Sequence, residues 1–419
     1  MAQHRIPIDP TGSDLAAEAA HLRGLGTAVP VELPGGIHAW AITRHQALAD
    51  LLLDENISKD PAHWTAWTSG EIASNPSAAW IYNWVGVKNM FTAYGPEHRR
   101  LRRLVQPAFT ARRTAELQPR IEEITLALLA DMHAKPDDEP VDLRAAFAHP
   151  LPMAVISELF GLDAGERTEV AGFIELIMDT TTPQEKAAAV LGQTREALAH
   201  LVARKRRQPG QDLTSALIAA RDDQDKLSEA ELVDTLILIL GAGHETTVNL
   251  IGNAVVALLQ HPDQLTLLLD GKVEWSSAIE ETLRWAPPIA NLPMRYAIEP
   301  VTVDGTRIGS GEAILTSYAA AGWDPEHHGP DAHLFDITRE PSDHLAFGHG
   351  VHRCIGAPLA RAEAGIALPA LFAAFPDMRL TGDGLDHVPS FIGHGHRKPL
   401  LHLHGAHPTR PAGMKAQLR

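Results

Sequence analysis

Apolar residues recur with helical spacing from about Glu97 to Trp285, whereas alternating, glycine-punctuated runs are confined to Val29–Thr43, Pro293–Ser317 and the stretch around Val388–His404. The pattern predicts a mainly α protein with small β-sheets. Its longest element opens on Ser228-Glu229-Ala230-Glu231, a capping box, and runs without proline to about Gln260, where His261-Pro262 ends it. At ~1.5 Å per residue this helix is on the order of 50 Å long, enough to cross a whole domain. Gly241-Ala242-Gly243-His244-Glu245-Thr246-Thr247 places two helix-weakening glycines and a polar cluster where packing should be tightest. A break is expected there: small residues remove bulk, and a threonine hydroxyl bonding back one turn widens the helix into a groove. As a packing notch or as a binding groove, the segment accommodates something.

Composition narrows the class. The chain has 419 residues, 45% of them hydrophobic, and no linker, repeat or low-complexity tract divides it, so one domain over 1–419 is expected, with roughly 1–10 and 405–419 as tails. A net charge of −16 argues against a nucleic-acid partner, because phosphate neutralisation needs a basic surface. The start carries no apolar signal core, and the most apolar run, Leu236 to Gly243, is cut by His244-Glu245 well short of membrane-spanning length. A cytoplasmic protein with no membrane partner is expected.

Cys354 is the only cysteine, set in Phe347-Gly348-His349-Gly350-Val351-His352-Arg353-Cys354-Ile355-Gly356 just before an amphipathic helical pattern. It cannot close a disulfide within the chain. Unpaired amides and the positive end of a helix dipole favour the thiolate, a soft anionic metal ligand. Other readings of the same residues are a small buried hydrophobe, or a zinc site using His344, His349, His352 and Cys354.

The ten-residue string resembles the cysteine loop of the cytochrome P450 family, with Phe347, Gly348, His352, Ile355 and Gly356 at its fixed offsets. The resemblance implies that Cys354 ligates haem iron. It also implies that Gly350 folds the backbone under the sulfur and points amides at it, and that His352 reaches a haem propionate. Ala242-Gly243-x-Glu245-Thr246 resembles the family's oxygen groove, which makes Glu245 and Thr246 a proton relay and leaves His244 and Thr247 to packing or surface. Glu281-x-x-Arg284 resembles its structural pair, a brace for the cysteine loop. The usual third member, an arginine before Phe335-Asp336-Ile337-Thr338-Arg339, is here Leu334, with His333 as a substitute. His98 and Arg102, at i and i+4, and Arg295 match propionate positions.

By this resemblance the fold is a triangular helical prism, with haem b between the long central helix and the cysteine-loop helix. The activity is monooxygenation: one oxygen atom from O2 enters a C–H bond, with electrons from NAD(P)H delivered by a separate ferredoxin and ferredoxin reductase. Arg99, Arg100, Arg103, Arg112 and Arg113 form a basic cluster suited to docking an acidic ferredoxin. Pocket candidates by family position are Trp80, Trp84, Met90, Phe91, Ile289, Ala290, Leu292, Phe391 and Ile392. The substrate reading is a bulky apolar molecule, a steroid first, with a macrolide, polyketide or other secondary metabolite as the alternative. A non-catalytic haem sensor or carrier would share Cys354 without needing Thr246.

Overall fold

The computed structural model describes residues 4–136, 138–163, 165–170, 184–219, 221–222, 225–340, 343–382 and 385–404. The expected tail at 405–419 lies outside the described residues. The other expected tail is partly structured: strand Ile6–Pro7 pairs in parallel with Ala28–Leu33, and Ile8 is buried. Apolar residues at Ile6 and Ile8 outweigh the prolines around them.

Helix Glu229–Gln260 runs through the centre of a large helical body. Its capping box is formed on both sides: Glu231 N–H donates to Ser228 Oγ at 3.3 Å, and Ser228 N–H donates to the Glu231 carboxylate at 2.7 Å. Around it pack helices Pro150–Phe160, Gln184–Arg207, Trp275–Trp285 and Ala357–Ala374, and Ala111–His133 covers the last of these. The expected break at Gly241–Thr247 is absent. The helix runs on unbroken, while the Thr246 and Thr247 hydroxyls bond back to the Ala242 and Gly243 carbonyls at 2.7 and 3.2 Å, the back-bonding expected of the groove. Gly243 serves close packing instead: a Cβ there would sit 3.2 Å from the Ile156 Cδ1 methyl.

The β-structure lies to one side. Its main sheet runs Ile6–Pro7, Ala28–Leu33, Ile37–Ile42, Ala313–Ser317, Asn291–Ala297, Ile57–Ser58. Strand Ala313–Ser317 is parallel to Ile37–Ile42 and antiparallel to Asn291–Ala297, which pairs Ile57 with Ala297 and so brings Lys59 beside Arg295. Among the described residues no helix is long and apolar enough to cross a membrane.

Candidate active site

A largely apolar cavity separates the central helix from the 347–356 loop. Helix Gly95–Val105 walls one side. It starts at Gly95, whose φ of +58° suits glycine, followed by Pro96 in the first turn, and it buries His98, Leu101, Leu104 and Val105 while Arg99 and Arg103 face out. His98 and Arg102 from this helix, Arg295 from the sheet, His352 from the loop and Lys59 all line one rim. The only carboxyl among the described lining residues is Glu363, on the helix after Cys354.

These cations are poorly compensated. Arg295 is 4% exposed and held below its ordinary range by burial, with Tyr318 as its hydrogen-bonding neighbour. Lys59 is 3% exposed, its Nζ has no hydrogen-bond partner, and it lies 3.5 Å from the centroid of the Phe91 ring. Burial and the Arg295 charge push it well below the usual lysine range. Burial, Arg102 and Arg295 push His98 down to about 4, and burial with Arg295, Lys59 and His98 drives His352 lower still. The buried Arg295 and Lys59, with Arg102 beside them, call for anions, and the neutral His98 and His352 can donate to them. A planar group with two carboxylates on one edge supplies them, and haem is such a group; Lys59 and Tyr318 are rim residues that local motifs did not signal. Arg102 also donates to the Val351 and Arg353 carbonyls at 2.9 and 2.8 Å, which ties the helix to the loop.

Cys354, on the loop that also carries His352, presents its sulfur to the cavity. Its N–H donates to the Phe347 carbonyl at 2.8 Å, closing the loop, and Gly348 and Gly350 both have φ of +69°. Gly350 does not aim amides at the sulfur as expected. It allows close approach to another element, since a Cβ there would fall 2.6 Å from the Leu52 carbonyl oxygen. The amides at the sulfur are those of Gly356 and Ala357, the start of the following helix. Burial outweighs them and the Arg102 and Arg361 charges, so the thiol lies above its ordinary value. A thiolate here therefore needs a cation on sulfur, which a bound metal provides. Ile355 and Phe347 also line the cavity, Phe347 beneath the Arg361 guanidinium at 4.6 Å.

Across the cavity stand Ala242, Gly243, Thr246 and Thr247. Thr247, expected to be packing or surface, thus faces the same space as Thr246. Glu245 does not line the cavity. It is buried against Arg144, whose Nη2 donates to it at 2.6 Å and whose Nη1 donates to Asn249 at 3.1 Å. Burial raises the Glu245 carboxyl and Arg144 partly offsets this. The structure therefore separates the two members of the expected relay. His244 is fully buried and shares a hydrogen bond with the His149 carbonyl at 3.0 Å.

Glu281 and Arg284 form a buried bidentate pair at 2.7 and 2.6 Å. Arg284 also donates to the carbonyls of Gly322, Ala332 and Leu334. Leu334 thus contributes its backbone and leaves its side chain exposed. The further cation beside Glu281 is Arg339, its Nε 3.7 Å from the carboxylate, and not His333, whose carbonyl accepts from Trp285. The zinc alternative fails on geometry: among the described residues His344, His349, His352 and Cys354 do not gather, and His344 pairs with Glu280 at 2.9 Å.

Of the pocket candidates, Trp84, Met90, Phe91, Ile289 and Leu292 line the cavity. Trp80, Ala290, Phe391 and Ile392 do not. Trp80 donates to the Pro34 carbonyl at 2.9 Å and packs edge-on to Phe391, while Ala290 N–H donates to the Ile392 carbonyl at 2.8 Å. These contacts turn Trp80, Phe391 and Ile392 into the sheet core and Ala290 into a small cluster with Ala19, Ala319, Ala320 and Trp323.

Glu363 yields a pH prediction. Burial raises its carboxyl to about 8, and its Oε2 has no partner. Because the folded value exceeds the unfolded one, folding takes up a proton: the contribution is fully present below about pH 4.5 and is lost as pH rises toward 8. Over that window this group lowers stability by ~1.4 kcal/mol per pH unit. Glu363→Gln is expected to be stabilised relative to the parent more at pH 8 than at pH 6, measured by urea unfolding; an equal difference at both pH values contradicts the assignment.

Comparison with known proteins adds an independent line. The family profile described as Cytochrome P450 matches residues 62–190, 173–266 and 276–378. The chain is similar to 2-hydroxy-5-methyl-1-naphthoate 7-hydroxylase of Streptomyces carzinostaticus, 42% identical over 402 residues, covering 95% of this chain and 97% of that one. It is 37% identical over 387 residues to 6-deoxyerythronolide B hydroxylase of Saccharopolyspora erythraea, covering 88% and 94%. Testosterone-bound CYP154C4 from Streptomyces sp. ATCC 11861 superposes with a TM-score of 0.92 at 43% identity, covering 96% and 98%.

Proposed function

Because this chain belongs to the cytochrome P450 family and is a monooxygenase of it, we propose that it hydroxylates a bulky, largely apolar secondary metabolite of the polyketide or macrolide kind, at a haem held by Cys354. The observation that carries the site assignment is the group formed by Lys59, Arg102 and Arg295 with the neutral imidazoles of His98 and His352, all lining the cavity to which the one thiol is presented. When bound, haem supplies the O2 activation that inserts one oxygen atom into a substrate C–H bond.

The protein's own residues do the rest. Lys59, His98, Arg102, Arg295, Tyr318 and His352 would hold the two haem propionates. Trp84, Met90, Phe91, Ile289 and Leu292 exclude water and orient the substrate. Thr246 already donates its proton to the Ala242 carbonyl, so its oxygen is left to accept from a water held in the groove. That water is the local proton donor. Glu245, buried away from the cavity and clamped by Arg144, hands protons toward the groove when that ion pair opens.

Two relatives named for secondary-metabolite substrates favour this class over the steroid expected from sequence. A screen for substrate-induced spin-state shifts across aromatic polyketides, macrolactones, steroids and fatty acids tests it. Micromolar shifts with the first two groups are expected; shifts confined to steroids would overturn the substrate assignment.

Electrons come from NAD(P)H through a separate ferredoxin and reductase. The docking surface is the depression lined by Arg99, Arg102, Arg103 and the 64% exposed Val351. Arg100 is drawn off to Glu97 and Glu231, and Arg112 to Glu116 at 2.9 Å, so the cluster is narrower than its sequence suggests. Reduction by a ferredoxin should slow as ionic strength rises, and Arg99→Glu should flatten that dependence. A rate indifferent to salt in the parent counts against this surface.

A further inference from the structure

Apart from the cavity, three histidines meet where helix His45–Leu53 begins and the short helix Pro325–His328 ends. His45 is buried, and its Nε2 lies 2.5 Å from the Asp343 carbonyl oxygen. A carbonyl only accepts, so Nε2 carries the proton and Nδ1 the lone pair. That Nδ1 is buried and has no hydrogen-bond partner. His328 is buried too, and neither of its ring nitrogens has a partner. His327 is exposed and stacks on His45 with ring centroids 3.5 Å apart. One ring nitrogen from each of the three lies within 4.8 Å of the others, the one such group among the described residues.

We propose that His45, His327 and His328 form a binding site for a borderline divalent cation, zinc being the natural occupant, which ties the start of helix His45–Leu53 to the segment that feeds the Arg284 brace. Buried imidazole nitrogens without partners are unstable as they stand, and an ion is the simplest way to satisfy them. A ligating histidine whose other nitrogen donates to a backbone carbonyl is the usual support for such a site, and His45 has that support in place.

Arg284 and Arg339 face His328, and each arginine around the site is held by a carboxylate. Arg44 is engaged by Asp324 and Glu326, both at 2.9 Å, Arg284 by Glu281, and Arg339 by Asp331 at 3.1 Å. His327 is the exposed partner, and its ring would turn out of the stack on His45 for its lone pair to converge with the other two. Water completes a tetrahedral set. The site lies on the brace side of the protein and takes no part in the proposed haem chemistry.

The test is equilibrium dialysis of the haem-loaded protein against zinc chloride, with melting temperature as a second readout. The parent is expected to hold one zinc that His327→Ala binds at least tenfold more weakly, and to melt higher with zinc than without. His327→Ala removes an exposed side chain, so its fold is kept; His328→Phe, which refills the buried volume, should lose the same zinc. His387→Ala, in a separate histidine group, should bind as the parent does. No zinc uptake by the parent, parent-like uptake by His327→Ala, or loss of zinc in His387→Ala alone would each overturn the proposal.

Discussion

Thr246→Ala is expected to fold, bind haem and bind substrate as the parent does, yet to form product on the order of 10² more slowly while still consuming NAD(P)H and O2. The side chain faces the cavity and is not packed into the core, so its truncation creates little void. What is lost is a hydroxyl oxygen facing the groove and free to accept from a water, its proton being committed to the Ala242 carbonyl. Without that water, protons arrive without order and reducing equivalents leave as hydrogen peroxide. Thr247→Ala is the internal control, because Thr247 lines the same space and bonds back at the longer 3.2 Å. The measurement is product formed per NAD(P)H oxidised, with a surrogate ferredoxin and reductase. A parent-like ratio in Thr246→Ala and a fall in Thr247→Ala would transfer the role to Thr247; parent-like ratios in both would remove it from this helix.

Glu281→Gln is expected to destabilise the protein by about 3–5 kcal/mol, the usual cost of leaving one buried charge without its partner. Arg284 has no exposed side-chain surface, and Glu281 answers both it and the Asp336 N–H at 2.8 Å. Replacing both members of a buried pair with apolar residues is often harmless, but not here. Arg284 also satisfies the carbonyls of Gly322, Ala332 and Leu334, so a Glu281→Met/Arg284→Met protein should remain well below the parent. Denaturant midpoints with haem content check this. A Glu281→Gln midpoint within ~0.5 kcal/mol of the parent would mean that the pair does not brace the segment leading to the cysteine loop.

Much of the site is legible in the chain because it is encoded in short strings. Cys354 and His352 belong to one loop, His98 and Arg102 to one helix face, Glu281 and Arg284 to one turn, and each string fits a single local geometry. The capping box at Ser228 and the stop at His261-Pro262 are local in the same sense. What sequence does not show are the residues delivered by long-range pairing. Lys59 reaches Arg295 only because Ile57–Ser58 pairs with the strand carrying Arg295, and Arg339 reaches Glu281 from 58 positions further along the chain. Register decides the rest: Ile289 and Leu292 face the cavity, while the Ala290–Ile392 hydrogen bond turns Ala290, Phe391 and Ile392 inward. The expected helix break fails for an energetic reason. Burial of the helix in the core and close packing of Gly243 on Ile156 hold a glycine-containing segment that propensity alone would interrupt. The thiol tells a similar story, since burial dominates the helix-terminal amides that a sequence argument counts first.

The central claim is that Cys354 binds haem iron through sulfur in this cavity, and the absorption spectrum of the reduced, carbon monoxide-bound protein tests it most directly. The account predicts the red-shifted Soret band of thiolate ligation in the parent and its replacement in Cys354→His by the shorter-wavelength band of imidazole ligation. A parent lacking the red-shifted band, or a Cys354→His protein that keeps it, would contradict the claim.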